Sequence, residues 1–178
     1  MITRIGRDRR ADQTQRAQLP LLDRLIDDAP DEQRDPPLPT VEAVALLRRS
    51  VRRDIEALLN ARRRWRSWPE GYRELAVSPV GYGVTDFAAG AFNDPAQRDR
   101  LRAGIEQTIR RFEPRLAQVR VVLIDGDNTQ DATLRLRIEA LLRVEPAPEP
   151  IVFDTLVDPA TAEVQVKPNS ADHPPSDV

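Results

Sequence analysis

No cysteine occurs in the 178 residues, which removes disulfide staples, thiolate nucleophiles and sulfur-ligated zinc. Histidine is reduced to His173, set in a polar C-terminal stretch between Asp172 and Pro174. Nucleophile-base pairs and transition-metal sites that need imidazole in a folded core are thereby excluded. Glycine is scarce at seven residues, and Gly81 and Gly83 lack both the spacing and the strand-to-helix setting of a phosphate loop. No apolar run approaches the roughly 20 residues that span a bilayer. Met1 to Ala17 carries Arg4, Arg7, Arg9, Arg10 and Arg16 with no apolar stretch behind them, unlike a secretory signal. The chain therefore reads as soluble, not inserted in a membrane, cytoplasmic and free of any cofactor requirement.

Excess charge is also missing. The net charge is −2, so the molecule as a whole does not attract nucleic acid. Its distribution is uneven: eight arginines between Arg48 and Arg66 face only Asp54 and Glu56, whereas seven acids after Val144 face Lys167 alone. Lys167 is the only lysine, so almost every cation is an arginine, whose planar fork favours bidentate pairing with carboxylates.

The pattern of apolar residues predicts an α+β fold, with two main helices packed on a small, mostly antiparallel sheet of about four strands. Residues 1–18 read as a disordered arm, 19–166 as one wedge-like domain and 167–178 as a disordered tail. Leu21, Leu22, Leu25 and Ile26 recur at helical spacing behind Pro20, giving a short helix that docks either on its own domain or on a partner. Thr40 is the expected N-cap of the strongest helix, with Val44, Leu47, Val51, Ile55, Leu58 and Leu59 on one stripe and an end near Arg64. Ser78 to Phe87 reads as loop, and a second helix starts at Asp94-Pro95, carries Leu101, Ile105, Ile109 and Phe112, and is stopped by Pro114. Strands are expected at 119–124, 133–143, 151–157 and 162–166.

Candidate chemistry is thin. Asp125, Asp127, Asn128 and Asp131 resemble a calcium loop, but the glycine is misplaced at Gly126 and Leu136 stands where the bidentate glutamate belongs. Glycoside hydrolysis needs a carboxylate pair, and Glu113 is the one acid placed for partial burial. Arg115 beside it favours the ionised form, the opposite of what a general acid requires. The run Arg62-Arg63-Arg64-Trp65-Arg66 with Trp68 suits phosphate and base contacts in isolation, and equally a solvated helix end with tryptophans closing the core.

Several segments in order resemble the TssE family of type VI secretion baseplate subunits, related to the lysozyme-like wedge proteins of contractile phage tails. They are Leu21-Leu22-Asp23-Arg24-Leu25, Ser50 to Asn60, Tyr82-Gly83-Val84-Thr85-Asp86-Phe87, the Glu113-Pro114-Arg115 stretch and Leu134 to Thr155. The resemblance implies a structural protein that is not an enzyme, with other baseplate wedge subunits and the contractile sheath protein as partners. A peptidoglycan glycosidase and a nucleic-acid-binding module are the alternatives from other classes. Two partner-binding sites are expected. One is the Glu113, Pro114, Arg115 corner, whose charges either face a partner or pair with each other. The other is the edge strand at Val164 and Val166, whose free backbone groups would accept an extended sheath arm.

Overall fold

The computed structural model describes residues 21–25, 39–63, 69, 71–85, 94–124, 134–145, 147–158, 161 and 163–169. Trp65, Trp68, Phe87, the turn at 125–131 and His173 lie outside the described residues. Helix α1 spans Leu21–Leu25, α2 Thr40–Asn60 and α3 Pro95–Phe112. Two-residue strands β1 (Arg62–Arg63) and β2 (Val84–Thr85) pair in parallel. A four-stranded antiparallel sheet follows, with β3 at Leu116–Ile124, β4 at Leu134–Leu142, β5 at Glu149–Val157 and β6 at Val164–Pro168, each beside the next. The α+β class read from the sequence is the observed one.

Helix α2 begins at the residue expected to cap it, so the cap lies one residue earlier. Thr40 is already helical, Pro39 stands at the cap position with an extended backbone, and no side chain caps the end. Proline at the cap fixes φ near its helical entry value, and its carbonyl accepts the first intrahelical bond from Ala43 N at 2.9 Å. The helix also stops sooner than Arg64. Asn60 turns its side-chain amide back onto Glu56 O at 2.9 Å and across to Val164 O at 2.8 Å. Ala61 is extended, and Arg62 and Arg63 become β1. The segment expected as loop contains both a 3₁₀ turn, Pro79–Gly81, and β2.

The core lies between one face of the sheet and the two long helices, α3 over β3 and α2 over β6. Helix α2 contributes Leu47, Val51, Ile55, Leu58 and Leu59, and α3 contributes Ile105 and Ile109, all buried. β4 alternates as its sequence demands, with Leu134, Leu136, Ile138, Ala140 and Leu142 inward. Burying each large aliphatic side chain contributes about 2 kcal/mol before the entropy lost on ordering it is subtracted.

Strand β3 starts three residues before the β-branched run that announces it. Leu116 and Ala117 pair with Leu142 and Leu141, and pairing resumes at Arg120 opposite Glu139. Gln118 takes up the extra residue with φ at 51°, in the left-handed region. The bulge reverses the parity of the strand, so buried Leu116 is followed by buried Val119 and Val121. At the other end, β6 runs through Pro168, two residues into the expected tail, because Lys167 still pairs with Asp154 and Pro168 with Phe153.

Gly83 sets the approach of β2 to the end of α2. Its φ is +98°, and an added Cβ would collide with the carbonyl of Ala61, to whose oxygen Val84 N donates at 3.0 Å. Gly83→Ala should therefore destabilise the fold by about 2 kcal/mol or more in urea unfolding. Gly104→Ala, inside α3 with open space around its Cα, should stabilise it by about 0.5 kcal/mol. Equal effects at the two positions would refute a close approach at Gly83.

Candidate functional site

The end of α3 is made by Glu113 and Pro114. Glu113 N still donates to Ile109 O at 2.9 Å, but its backbone has left helical geometry, as the following proline requires. Leu116 N returns to Glu113 O at 3.1 Å, closing a tight turn into β3. Glu113 is 4% exposed, one of only three polar or charged side chains buried among the described residues.

Arg115 binds that carboxylate from both sides. Its Nε donates to Glu113 Oε1 at 2.6 Å and its Nη2 to Oε2, while Nη2 also reaches Asp54 Oδ2 at 2.7 Å and Nη1 reaches Ser50 Oγ at 3.2 Å. Ser50 and Asp54 lie four residues apart on α2, so one guanidinium fastens the corner to that helix. The network continues outward. Arg53 Nε donates to Asp54 Oδ1 at 3.0 Å and Nη1 to Asp23 Oδ1 at 2.7 Å, and Ser50 Oγ donates to Asp23 Oδ2 at 2.6 Å. Burial opposes the Arg115 charge, but the Glu113 and Asp54 carboxylates outweigh it and hold the proton more tightly than usual. The Arg53 hydrogen bond lowers the Asp23 carboxyl below its ordinary 3.8, against a smaller opposing effect of burial.

The corner expected to face either a partner or itself thus pairs internally: Glu113 and Arg115 bracket α3, β3 and α2. Pro114 remains exposed. Beside it opens a cavity of about 330 Å³, lined by the bracket together with Leu58, Tyr82 and Phe112. The Tyr82 and Phe112 rings meet edge to face, 5.3 Å apart at 72°. Burial, and then the Asp54 and Glu113 carboxylates, push the Tyr82 phenol upward. Sequence reasoning assigned no role to Asp23, Ser50, Asp54 or Tyr82. The available signal was Ser50 and Asp54 inside the stripe of Leu47, Val51, Ile55 and Leu58, polar residues where helical spacing predicts a buried border. Helix α1 docks through Asp23, and its leucines point away: Leu21, Leu22 and Leu25 are 65%, 57% and 71% exposed.

Val164 and Val166 lie on the sheet edge, as expected, but their backbone groups are not free. Val164 N donates to Asn60 Oδ1 and its carbonyl accepts from Asn60 Nδ2; Val166 N donates to Glu56 Oε2 and its carbonyl accepts from Arg52 Nη1. Arg52, Glu56 and Asn60 are spaced by four, so one face of α2 stands in for a missing strand. The opposite edge is treated alike: Arg102 and Glu106 bond Val121 O and N, and Arg110 bonds Val119 O.

No group of three or more His, Cys, Asp or Glu able to hold a metal occurs among the described residues. Hydrolytic use of Glu113 is opposed by geometry, since Arg115 engages both carboxylate oxygens and the side chain is only 5% exposed, with little access for a glycosidic oxygen.

Arg115→Met, which strands the Glu113 charge, should cost about 3 kcal/mol, and adding Glu113→Gln should return part of that loss. Additive costs in a urea double-mutant cycle would show that the two side chains do not act as a bracket. Asp23 behaves differently with pH. Its folded pKa is lowered, so its stabilisation is complete above 3.8 and disappears as pH falls through the lower folded value. Asp23→Asn should therefore weaken α1 docking at about pH 7, and the difference from the native chain should shrink as pH falls below 3.8, read from the amide signals of α1.

No individual characterised protein matches the chain. The family model described as baseplate wedge protein gp25 matches residues 45–147, more than half of the chain and the stretch from α2 through β4 that contains the bracket. By that match, on a fold whose charged corner joins its two helices to its sheet, the chain belongs to the baseplate wedge protein gp25 family.

Proposed function

We propose that this wedge-family chain is the TssE-type baseplate subunit of a type VI secretion system, working on the cytoplasmic side to link neighbouring baseplate subunits to the contractile sheath. The observation that carries an assembly role is the bracketed corner: a proline-stiffened turn locked to α2 by Arg115 and bordered by an open cavity. Such a surface is ordered before a partner arrives, so little entropy is lost on binding. The type VI assignment draws on the resemblance of Leu21-Leu22-Asp23-Arg24-Leu25, a segment outside the matched residues. No described helix is long and apolar enough to cross a membrane.

Within this reading Glu113 and Arg115 serve a baseplate neighbour indirectly, by holding the corner and its exposed Pro114 in shape. A sheath arm reaching Val164 and Val166 has to exchange with Arg52, Glu56 and Asn60 rather than add to vacant groups. That exchange suits a contact made once, during assembly, with main-chain bonds replacing side-chain bonds.

Tagged protein recovered from its native host should bring down baseplate and sheath subunits of a type VI apparatus, and deletion of its gene should abolish contractile secretion. Recovery of phage-tail components instead would move the chain to another contractile machine. Reproducible release of reducing sugar from peptidoglycan, lost on Glu113→Gln, would overturn the non-enzymatic reading.

A further inference from the structure

Where the bracket lines the cavity, the hydrogen-bond capacity left over is mostly acceptor, with one Arg115 Nη1–H against the remaining lone pairs of Asp54 and Glu113. Arg115 has five N–H donors, and its Nε–H, both Nη2–H and one Nη1–H already point at internal acceptors. The carboxylates are not saturated. Asp54 accepts one bond at each oxygen, from Arg53 and from Arg115, and each oxygen has a further lone pair. Among the described residues of the network, the carboxylates of Asp23, Asp54 and Glu113 face the guanidiniums of Arg53 and Arg115, an excess of one negative charge. Asp54, on the cavity wall, is 35% exposed, whereas Glu113 is 5% exposed at its side chain.

The remaining walls are apolar. Leu58, Phe112 and Pro114 give an aliphatic and aromatic lining, and Tyr82 adds a ring whose faces carry negative charge density. A ligand matching these walls has a hydrophobic stem and a donor-rich cationic head. An anion would meet those carboxylates with a single uncommitted Arg115 N–H to bind it.

We infer that the cavity between α2 and the Glu113-Pro114-Arg115 corner receives one basic side chain of a partner protein, its stem against Leu58, Phe112 and Pro114 and its head at Asp54. The inference rests on the assembly role proposed above and names the chemistry of the partner at that corner. Charge complementarity selects the occupant: an exposed lysine or arginine flanked by apolar residues. Cation and ring attract each other more strongly when water is excluded, which the apolar walls accomplish.

The test uses the full chain and three synthetic peptides, identical except for lysine, norleucine or glutamate at the centre of an apolar sequence. Titration is followed by the ring signals of Tyr82 and Phe112. The lysine peptide should shift both and bind about tenfold more tightly than the norleucine peptide, with the advantage erased in Asp54→Asn. Because Asp54 also holds Arg115, Tyr82→Leu provides a second variant outside the bracket; it should weaken the lysine peptide while thermal unfolding shows an intact fold. Equal binding of norleucine, tighter binding of glutamate, or no shift at either ring overturns the proposal. Co-purification separates this outcome from the assembly role. If lysine selectivity fails while baseplate partners are still recovered, the wedge reading stands and the cavity assignment falls. If selectivity holds while no baseplate partner is recovered, the cavity assignment stands and the assembly role falls.

Discussion

The guanidinium of Arg115 is the point on which the packing of this fold converges. It lies where α3 ends and β3 begins, and it binds residues of α2 more than sixty positions earlier in the chain. Buried ion pairs of this kind are not stabilising by default, since two charges lose their water and regain it only as mutual attraction. What the pair supplies is direction. An apolar plug at the same place would fill space in several orientations, whereas a planar fork engaging Glu113, Asp54 and Ser50 admits one. Helix α2 is thereby fixed in rotation, and with it the Leu47 to Leu59 stripe that covers the sheet.

The same helices solve a second problem with the side chains they do not bury. A four-stranded open sheet presents two unpaired edges, which invite addition of foreign strands. Arg52, Glu56 and Asn60 cover one edge, and Arg102, Glu106 and Arg110 the other, each set one turn apart along its helix. In each set a carboxylate accepts from a strand amide while a cation donates to a strand carbonyl. Pro168 adds an edge position with no amide to offer. The arrangement covers both edges, and it also makes any strand added at β6 a replacement of α2 side chains rather than an addition.

How legible this was in the sequence follows from the range of each signal. Periodicity is local, so the stripes of α2 and α3 and the alternation of β4 could be read directly, as could the stop at Pro114. The β3 bulge was hidden because Gln118 is no residue of choice for a left-handed backbone, and its position depends on pairing with β4. The early end of α2 was hidden for a similar reason: Asn60 is a good C-terminal residue, but its decisive partner, Val164, is far along the chain. The Glu113 and Arg115 pair was visible as adjacent opposite charges. Its extension to Ser50, Asp54 and Asp23 was not, since only folding brings the short arm helix, α2 and the corner together.

These long-range contacts also explain why the corner resists a catalytic reading in spite of its carboxylates. A general acid must keep a proton at neutral pH, which calls for burial without a compensating cation. Here burial is accompanied by a bidentate arginine, and the Glu113 carboxylate is engaged in holding the turn. A corner that is rigid, charge-locked and open to one side is mechanically well defined, because one guanidinium fixes the turn, the following strand and the facing helix together.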